Sequence, residues 1–189
     1  MTEPWKPSPE QLEAARTRKV PDLVAPDLEV LFCGINPGLY SGAVGHHFAR
    51  PGNRFWPALH GSGFTPRFLS PFHESELLAH GLGVTNFVAR TTATAAELSS
   101  EELEASGPRL KAKVRRLRPR WLAPLGVTAY RRAFGRHKAA VGPQEDVIAT
   151  TRIWLLPNPS GLNAHYQLPA LIAEFARLRA AVEETGSGP

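Results

Sequence analysis

The sequence predicts one α/β domain built on a mostly parallel sheet, and three observations support this. Short apolar runs typical of buried strands alternate with segments that have helical periodicity. Glycine, asparagine or proline closes most of these runs, as expected where strands end in turns. The 189 residues, 42% hydrophobic and 21% charged, suit a single core of ordinary size. Because helices joining parallel strands cover both faces of the sheet, we expect an α/β sandwich.

Local patterns predict each element in turn. In chain order they indicate a helix at 10–18, a strand at 28–34, helical turns at 53–59 and 74–79, a strand at 83–88, a basic amphipathic helix at 108–117, a strand at 121–126, a helix at 127–134, a strand at 153–157 and a helix with an apolar stripe from 168 to 182. Pro124 predicts an edge position or a strand end, because proline cannot donate to a sheet ladder. In such sheets ligands bind beyond the carboxyl ends of the strands.

The chain divides into three parts. Residues 1–26 are expected to form a partly flexible N-terminal arm, residues 27–184 a single domain, and residues 185–189 a flexible tail. No run approaches the roughly 18 apolar residues of a membrane span, so we expect no membrane partner. The single cysteine, Cys33, fits a reducing cytoplasm, which is the expected location.

The net charge of +5 and a pI near 9.8 favour a polyanionic partner, because Lys and Arg side chains that contact phosphates release counterions. The basic run at 109–118 could follow DNA, although such runs usually form a solvated helix face. The same two interpretations apply to a second basic group: Arg131, Arg132, Arg136 and Lys138.

Two predicted strands end in loops of similar build, 34–39 (Gly-Ile-Asn-Pro-Gly-Leu) and 157–163 (Pro-Asn-Pro-Ser-Gly-Leu-Asn). In each loop an asparagine precedes a proline and is therefore biased towards extended backbone. An asparagine amide both donates and accepts, which suits a nucleobase edge or an attacking water. Either loop alone could be an ordinary turn, but two at the ends of two strands favour a ligand site.

These loops and the segments between them resemble the mismatch-specific uracil/thymine-DNA glycosylase family. The resemblance rests on residues 30–39, 52–56 (Gly-Asn-Arg-Phe-Trp), 83–86, 90–92, 98–103 and 156–162, and it covers the chain from about Val20 to the last helix. It implies a three-layer α/β/α sandwich like that of uracil-DNA glycosylases. It also implies an enzyme that hydrolyses the N-glycosidic bond of uracil, or a related damaged pyrimidine, in G·U-type mismatches for base-excision repair.

The resemblance assigns five residues to the base and its chemistry. Asn36 would hold the water that attacks the sugar C1′, and Phe48 would stack on the extruded base. The Ile35 backbone and Asn86 would contact the pyrimidine edge, and Asn158 would lie near its O2. Asparagine orients a water well but removes its proton poorly, so we expect slow turnover.

A second group would contact the DNA. Leu162 would enter the duplex in place of the base, while Gly161 and its neighbours Ser160 and Asn163 would contact the orphaned guanine. Apolar wedges of this kind offset the cost of unstacking. The expected partner is double-stranded DNA containing a G·U or similar mismatch, bound by a monomer that works without metal or cofactor and associates with the nucleoid while acting.

Ala89 departs from the pattern, because the family commonly has an acidic residue at this position. The change is either drift at a dispensable site or a weakening of catalysis, and Glu97, eight residues on, is not expected to replace the acid. The alternative function is therefore a lesion-binding protein with little or no turnover. A free-nucleotide hydrolase is disfavoured, because the chain lacks a phosphate-binding glycine loop and a carboxylate cluster for magnesium.

Adjacent histidines raise the question of a metal site. His46 and His47 have no His or Cys partner at ligand spacing, so contact with substrate or phosphate is the favoured role. His165 follows the second Asn-Pro loop and is expected either to reach a phosphate or to begin a helix.

Overall fold

The structure is a computed structural model that describes residues 5–186. Its helices are α1 (Pro9–Ala14), α2 (Leu39–Val44), α3 (Phe55–Gly61), α4 (Ser100–Leu117), α5 (Val127–Phe134) and α6 (Leu168–Gly186). Its strands are β1 (Val30–Gly34), β2 (Leu82–Asn86), β3 (Trp121–Pro124), β4 (Gly142–Ile148) and β5 (Thr151–Leu155). Segments of 3-10 helix cover Ala15–Thr17, Pro71–His80 and Ala95–Glu97. None of the helices in this described part is long and apolar enough to cross a membrane.

The five strands form one sheet in the order β2-β1-β3-β5-β4. The β1–β2, β1–β3 and β3–β5 pairs are parallel, and only β4 runs antiparallel to its neighbour. The expected mostly parallel sheet is thereby confirmed. Because β1, β2, β3 and β5 point the same way, the loops that follow them meet at one edge.

Helices cover both faces, which confirms the three-layer sandwich. On one face Val30 and Phe32 of β1 pack with the α3 and α6 side chains in a core cluster that includes Phe55 and Phe175. On the other face Leu31 packs in a second cluster with residues of α4 and α5. The alternation along β1 shows why a continuous apolar run is needed: every side chain of this strand is buried, on one face or the other.

Helix α4 begins eight residues before the predicted start at 108. Ser99 caps it by accepting a hydrogen bond from the Glu102 N–H, while the Glu102 carboxylate accepts from the Ser99 N–H. Pro108 therefore lies inside the helix rather than at its start. Gly107 is required there, because a Cβ at this position would lie 1.9 Å from the Ala133 carbonyl oxygen of α5.

The proline in the third predicted strand lies at a strand end and not at a sheet edge. β3 is the central strand of the sheet, and Pro124 is its last residue. Its carbonyl still accepts the Leu156 N–H, so the missing donor costs little at this position. The edge interpretation was wrong.

Two elements have no sequence signal strong enough for prediction. β4 is an edge strand in which alternate residues, Pro143, Glu145 and Val147, are exposed, and it has no apolar run. α2 is six residues long and holds Gly42 inside it, where a Cβ would lie 2.8 Å from the Thr91 side chain. Both elements depend on tertiary contacts rather than on local periodicity.

Regular structure extends into both chain ends where they are described. Within the N-terminal arm, α1 overlaps the helix predicted at 10–18 and follows a Ser8 capping box, and Leu23 pairs with Val84 beside the β2 edge. At the other end α6 continues through Gly186, two residues into the expected tail, and the Thr185 hydroxyl donates to α6 carbonyls. Residues 1–4 and 187–189 of the arm and tail lie outside the described part.

Candidate functional site: a cavity at the carboxyl ends of the strands

A cavity of about 520 Å³ opens at the edge where β1, β2, β3 and β5 end. Its volume is in the range of small-molecule sites. Of the residues predicted from sequence, seven line it: Ile35, Asn36, Phe48, Asn86, Asn158, Ser160 and Leu162. Gly161 and Asn163 belong to the same loop but are not part of the cavity wall. The two Asn-Pro loops therefore meet at one niche, as the sequence predicts.

The Asn36 side chain is held by its nitrogen. Nδ2 donates to the Arg90 carbonyl at 2.8 Å, to Thr92 Oγ1 at 2.7 Å and to the Pro37 carbonyl at 3.2 Å. The Thr92 hydroxyl donates onward to the Thr94 carbonyl, so it can only accept from Asn36. A flipped amide would oppose oxygen to oxygen, which determines the orientation. The amide oxygen has no partner among the described residues and can accept from a water.

Asn158 is bound through its oxygens, whereas Asn36 is bound through its side-chain nitrogen. Its Oδ1 accepts the Ser160 N–H at 3.0 Å in a local turn, and its backbone carbonyl accepts from the Asn163 side chain at 3.0 Å. Its Nδ2 has no acceptor within residues 5–186. Among the described residues, the niche therefore has a free amide oxygen on Asn36 and a free amide N–H₂ donor on Asn158.

The Phe48 ring, stacked on Phe55, forms the wall of the cavity next to the end of β1. Phe48 has a left-handed backbone with φ of 51°, and its ring stacks on Phe55 with centroids 4.2 Å apart. Gly34 lies beneath both Phe48 and Asn86: a Cβ there would be 2.6 Å from Asn86 Oδ1 and 3.3 Å from the Phe48 ring. Gly34 is thus a glycine because two pocket side chains approach its Cα closely.

Ile35 connects this wall to the Asn36 loop. Its carbonyl accepts the Val88 N–H at 3.0 Å, and its side chain packs beside Gly126, where a Cβ would lie 3.0 Å from Ile35 Cδ1. The carbonyl is thus committed within the fold, and the N–H is the backbone group of Ile35 available to a ligand.

Leu162 stands at the tip of the loop at 157–163 with 73% of its surface exposed. Its N–H donates to Ser160 Oγ at 3.2 Å, which stiffens the turn beneath it. Gly161 lies on Gly52, and a Cβ at Gly161 would be 2.6 Å from the Gly52 carbonyl oxygen. Leu162 is therefore held on a braced loop at the rim of the cavity, with its side chain exposed to solvent.

Among residues 5–186, no Asp or Glu lines the cavity. Ala89 is exposed and contributes no polar atom. Glu97 accepts the Thr94 N–H and pairs with Arg16, while Glu102 is bound to Arg90 through both its oxygens. The expectation that Glu97 does not substitute for an acid at position 89 agrees with these contacts.

The two adjacent histidines have separate structural roles. His46 Nδ1 lies 2.9 Å from Glu74, which also accepts the His47 N–H. His47 Nε2 lies 2.9 Å from the Pro21 carbonyl, so its ring donates there. Burial lowers the pKa of His47, which is a neutral imidazole in the cavity wall. Within residues 5–186 no group of His, Cys, Asp and Glu is arranged to hold a metal ion.

The residues of the site that the sequence analysis missed include Leu12, Arg50 and Arg54. Leu12 of α1 and Arg50 line the cavity, and Arg50 forms no ion pair with any described residue. The Arg54 side chain binds the loop at 157–163 by donating hydrogen bonds to the Asn163 and Gly161 carbonyls. Arg54 lies in the Gly-Asn-Arg-Phe-Trp segment that supports the family resemblance. Nothing in the neighbouring sequence indicates that its side chain contacts the loop at 157–163.

The basic run at 109–118 lies away from the cavity. α4 begins near the cavity edge and ends just before β3 begins, so its basic end is at the amino ends of the strands. α5 leaves the carboxyl end of β3, and Arg131, Arg132, Arg136 and Lys138 follow towards the same far end. Both groups fit the solvated-face interpretation.

Comparison with protein-family models shows that residues 21–183 match the model described as the Uracil DNA glycosylase superfamily. The match includes all five strands, both Asn-Pro loops and every cavity residue predicted from the sequence, whereas α1 with Leu12 precedes it.

Proposed function

The chain belongs to the uracil DNA glycosylase superfamily, and we propose that it excises uracil from G·U-type mismatches in double-stranded DNA. Membership itself indicates a DNA-repair enzyme that hydrolyses an N-glycosidic bond. The mismatch preference, the residue roles, and action as a cytoplasmic monomer on nucleoid DNA are the proposed part. The observation that carries the proposal is the pairing of a free Asn36 amide oxygen with a free Asn158 amide donor in one niche.

Extrusion of the base comes first. Chemistry at the glycosidic carbon requires the nucleotide to leave the stack, which costs a few kcal/mol and least at a mismatch. Leu162, exposed at the loop tip, would fill the gap, and Gly161 with Ser160 and Asn163 would face the orphaned guanine through backbone groups. The lower cost of opening a G·U pair is the physical source of the proposed mismatch preference.

The extruded pyrimidine would then enter the niche. The Phe48 ring, supported from behind by Phe55, provides a stacking surface worth about 1–3 kcal/mol. The Ile35 N–H and the Asn86 amide would contact the polar edge of the base. Asn158 Nδ2 would donate to O2, where negative charge develops as the base departs, and a donor placed there lowers the barrier.

Water attack would follow from the Asn36 orientation. Its Oδ1 would accept one hydrogen bond from a water and direct the water's lone pair at C1′. A bond forms between C1′ and the water oxygen as the C1′–N bond breaks. The base leaves as an anion, the proton that the water loses neutralises it, and the sugar carries a new hydroxyl at C1′. Because the cavity wall contains no carboxylate, proton removal from this water is unassisted and turnover is expected to be slow.

The test is a single-turnover assay in which alkali breaks the strand at abasic sites. Wild-type protein is expected to cut uracil in G·U duplexes faster than in A·U duplexes. Asn36→Ala should lower the rate about a hundredfold or more, whereas Ala89→Asp should raise it by providing a base near the water. Tight mismatch binding in a gel shift with no product after long incubation would contradict the proposal and favour the lesion-binding alternative, for which the missing carboxylate is the specific observation.

A further inference from the structure

Arg54, the residue before α3, is bonded almost entirely to one neighbouring loop. Its Nη1 donates to the carbonyls of Asn163 at 2.9 Å and Tyr166 at 3.0 Å, and more weakly to that of Ser160 at 3.5 Å. Its Nη2 donates to the Gly161 carbonyl at 3.2 Å and to the Gln167 side chain at 3.1 Å. One guanidinium thus gathers acceptors from both ends of the segment at 160–167.

The backbone of Arg54 adds to the same connection. Its N–H donates to the Pro159 carbonyl at 2.9 Å, and the Gly52 carbonyl lies against Gly161. The loop that carries Leu162 therefore rests on the turn before α3 at several points. α3 in turn packs its Phe55 and Trp56 into the core, so the support is rigid.

The charge of Arg54 has no anionic partner. All five side-chain acceptors are neutral, and no carboxylate of a described residue lies within ion-pair distance. An ion pair between Arg54 and a carboxylate could stabilise the fold equally well, but it would neutralise the charge of the guanidinium. Because Arg54 binds only neutral acceptors, it keeps a positive potential beside the exposed loop, where a phosphate backbone would approach.

We propose that Arg54 is the positioning residue of the wedge loop, residues 160–167, and that it holds Leu162 in the geometry that enters the duplex. This inference rests on the proposed function. Arginine is needed because its planar fork donates several bonds in fixed directions, whereas a lysine ammonium is a point donor on a flexible stem. A preorganised loop avoids the entropic cost of ordering at the moment the base is extruded.

The test is a cycle of four proteins: wild type, Arg54→Lys, Leu162→Ala and the double variant. Single-turnover uracil release is measured from a G·U duplex and from a duplex in which the uracil is bulged without a partner. Arg54→Lys keeps the charge and is expected to lower the rate on G·U at least tenfold. In the Leu162→Ala background the same substitution should change the rate less than twofold, because the wedge it positions is absent.

The bulged substrate provides a second readout. Extrusion of an unpaired base needs less assistance, so Arg54→Lys should lower that rate less than threefold. Arg136→Gln, at the far end of the molecule, is the matched control and should behave as wild type on both substrates.

A variant that merely unfolds would lose the same factor on both substrates and in both backgrounds. Equal losses would therefore overturn the inference, and so would an Arg54→Lys rate equal to wild type. A wild-type protein inactive on both substrates would overturn the proposed function and this inference with it.

Discussion

The hydrogen bonds of Asn36 make the substitution Asn36→Asp informative. The change keeps the shape and supplies a carboxylate, which is a better base for a water. It nonetheless replaces the nitrogen that donates to the Arg90 and Pro37 carbonyls and to Thr92 Oγ1. We expect loss of activity comparable to Asn36→Ala together with a loss of stability that depends on pH.

The magnitude follows from two ways the folded variant can respond. If the introduced carboxyl ionises, the two N–H donors shared among the three acceptors are lost, at about 1 kcal/mol per hydrogen bond, and oxygen faces oxygen. If it stays protonated to donate, holding an acid with a reference pKa of about 3.9 neutral at pH 7 costs about 4 kcal/mol. The two responses together predict a loss of about 2–4 kcal/mol at pH 7, or roughly 5–15 °C in Tm for a chain of this size.

The sign of the pH dependence is determined by linkage. The carbonyl surroundings raise the folded-state pKa of the introduced carboxyl above its unfolded value, so the folded state binds more protons and stability falls as pH rises through this window. Thermal melts from pH 4 to pH 8 should show the variant approaching wild type near pH 4 and diverging above it. Asn36→Ala, which lacks the carboxyl, should stay parallel to wild type. A variant as stable as wild type at pH 7, or one that gains activity, would refute the assigned amide orientation.

Three further predictions concern packing and titration. Gly107→Ala forces a Cβ into the Ala133 carbonyl of α5 and should lower the free energy of unfolding by about 1–3 kcal/mol or more in urea titrations; wild-type stability would contradict the contact. Gly34→Ala displaces Asn86 and should lower uracil release at least tenfold with a smaller change in Tm, and the reverse pattern would count against Gly34 as the pocket floor. Burial lowers the folded pKa of His47, so the unfolded chain binds the extra proton and stability is lost as pH falls below about 6.5; His47→Gln should remove that part of the pH dependence of Tm between pH 5 and 7, and an unchanged difference would contradict a buried neutral ring.

The sequence predicted the sheet and the niche because both leave local signals. A fully buried strand such as β1 must be a continuous apolar run, and a loop that leaves it at the active edge must carry its polar groups immediately afterwards, as Asn36 does. The same logic located Asn158 after β5. Because parallel strands end at one edge, two such loops could be placed together without knowledge of side-chain positions.

Other features could not be predicted because their cause lies elsewhere in the chain. Arg54 is recognised only when the loop at 160–167 is in place, about a hundred residues later. Leu12 reaches the cavity because α1 packs on α2, a contact with no sequence pattern. The predicted start of α4 at Pro108 was wrong, because the Ser99 capping box was not used as a start signal and because proline inside a helix is tolerated where tertiary packing compensates.

The position of the cavity at the carboxyl ends of the strands also explains why the basic residues of the sequence did not locate the binding site. The densest basic run, at 109–118, lies at the end of α4 remote from the cavity, whereas the cavity itself has only Arg50 and the neighbouring Arg54. A net charge of +5 therefore favours a polyanionic partner without indicating where that partner binds. The two Asn-Pro loops, at 34–39 and 157–163, are what indicated the position of the site.

Whether an extruded uracil occupies the cavity would be shown by the structure of the protein bound to a G·U duplex whose uracil nucleotide carries a 2′-fluorine. The fluorine disfavours positive charge on the sugar and so preserves the glycosidic bond. We expect the uracil inside the cavity against Phe48, its O2 within hydrogen-bond distance of Asn158 Nδ2, a water between Asn36 Oδ1 and C1′, and Leu162 in the stack. A uracil still paired within the duplex, or a duplex bound along α4 with the cavity empty, would contradict this expectation.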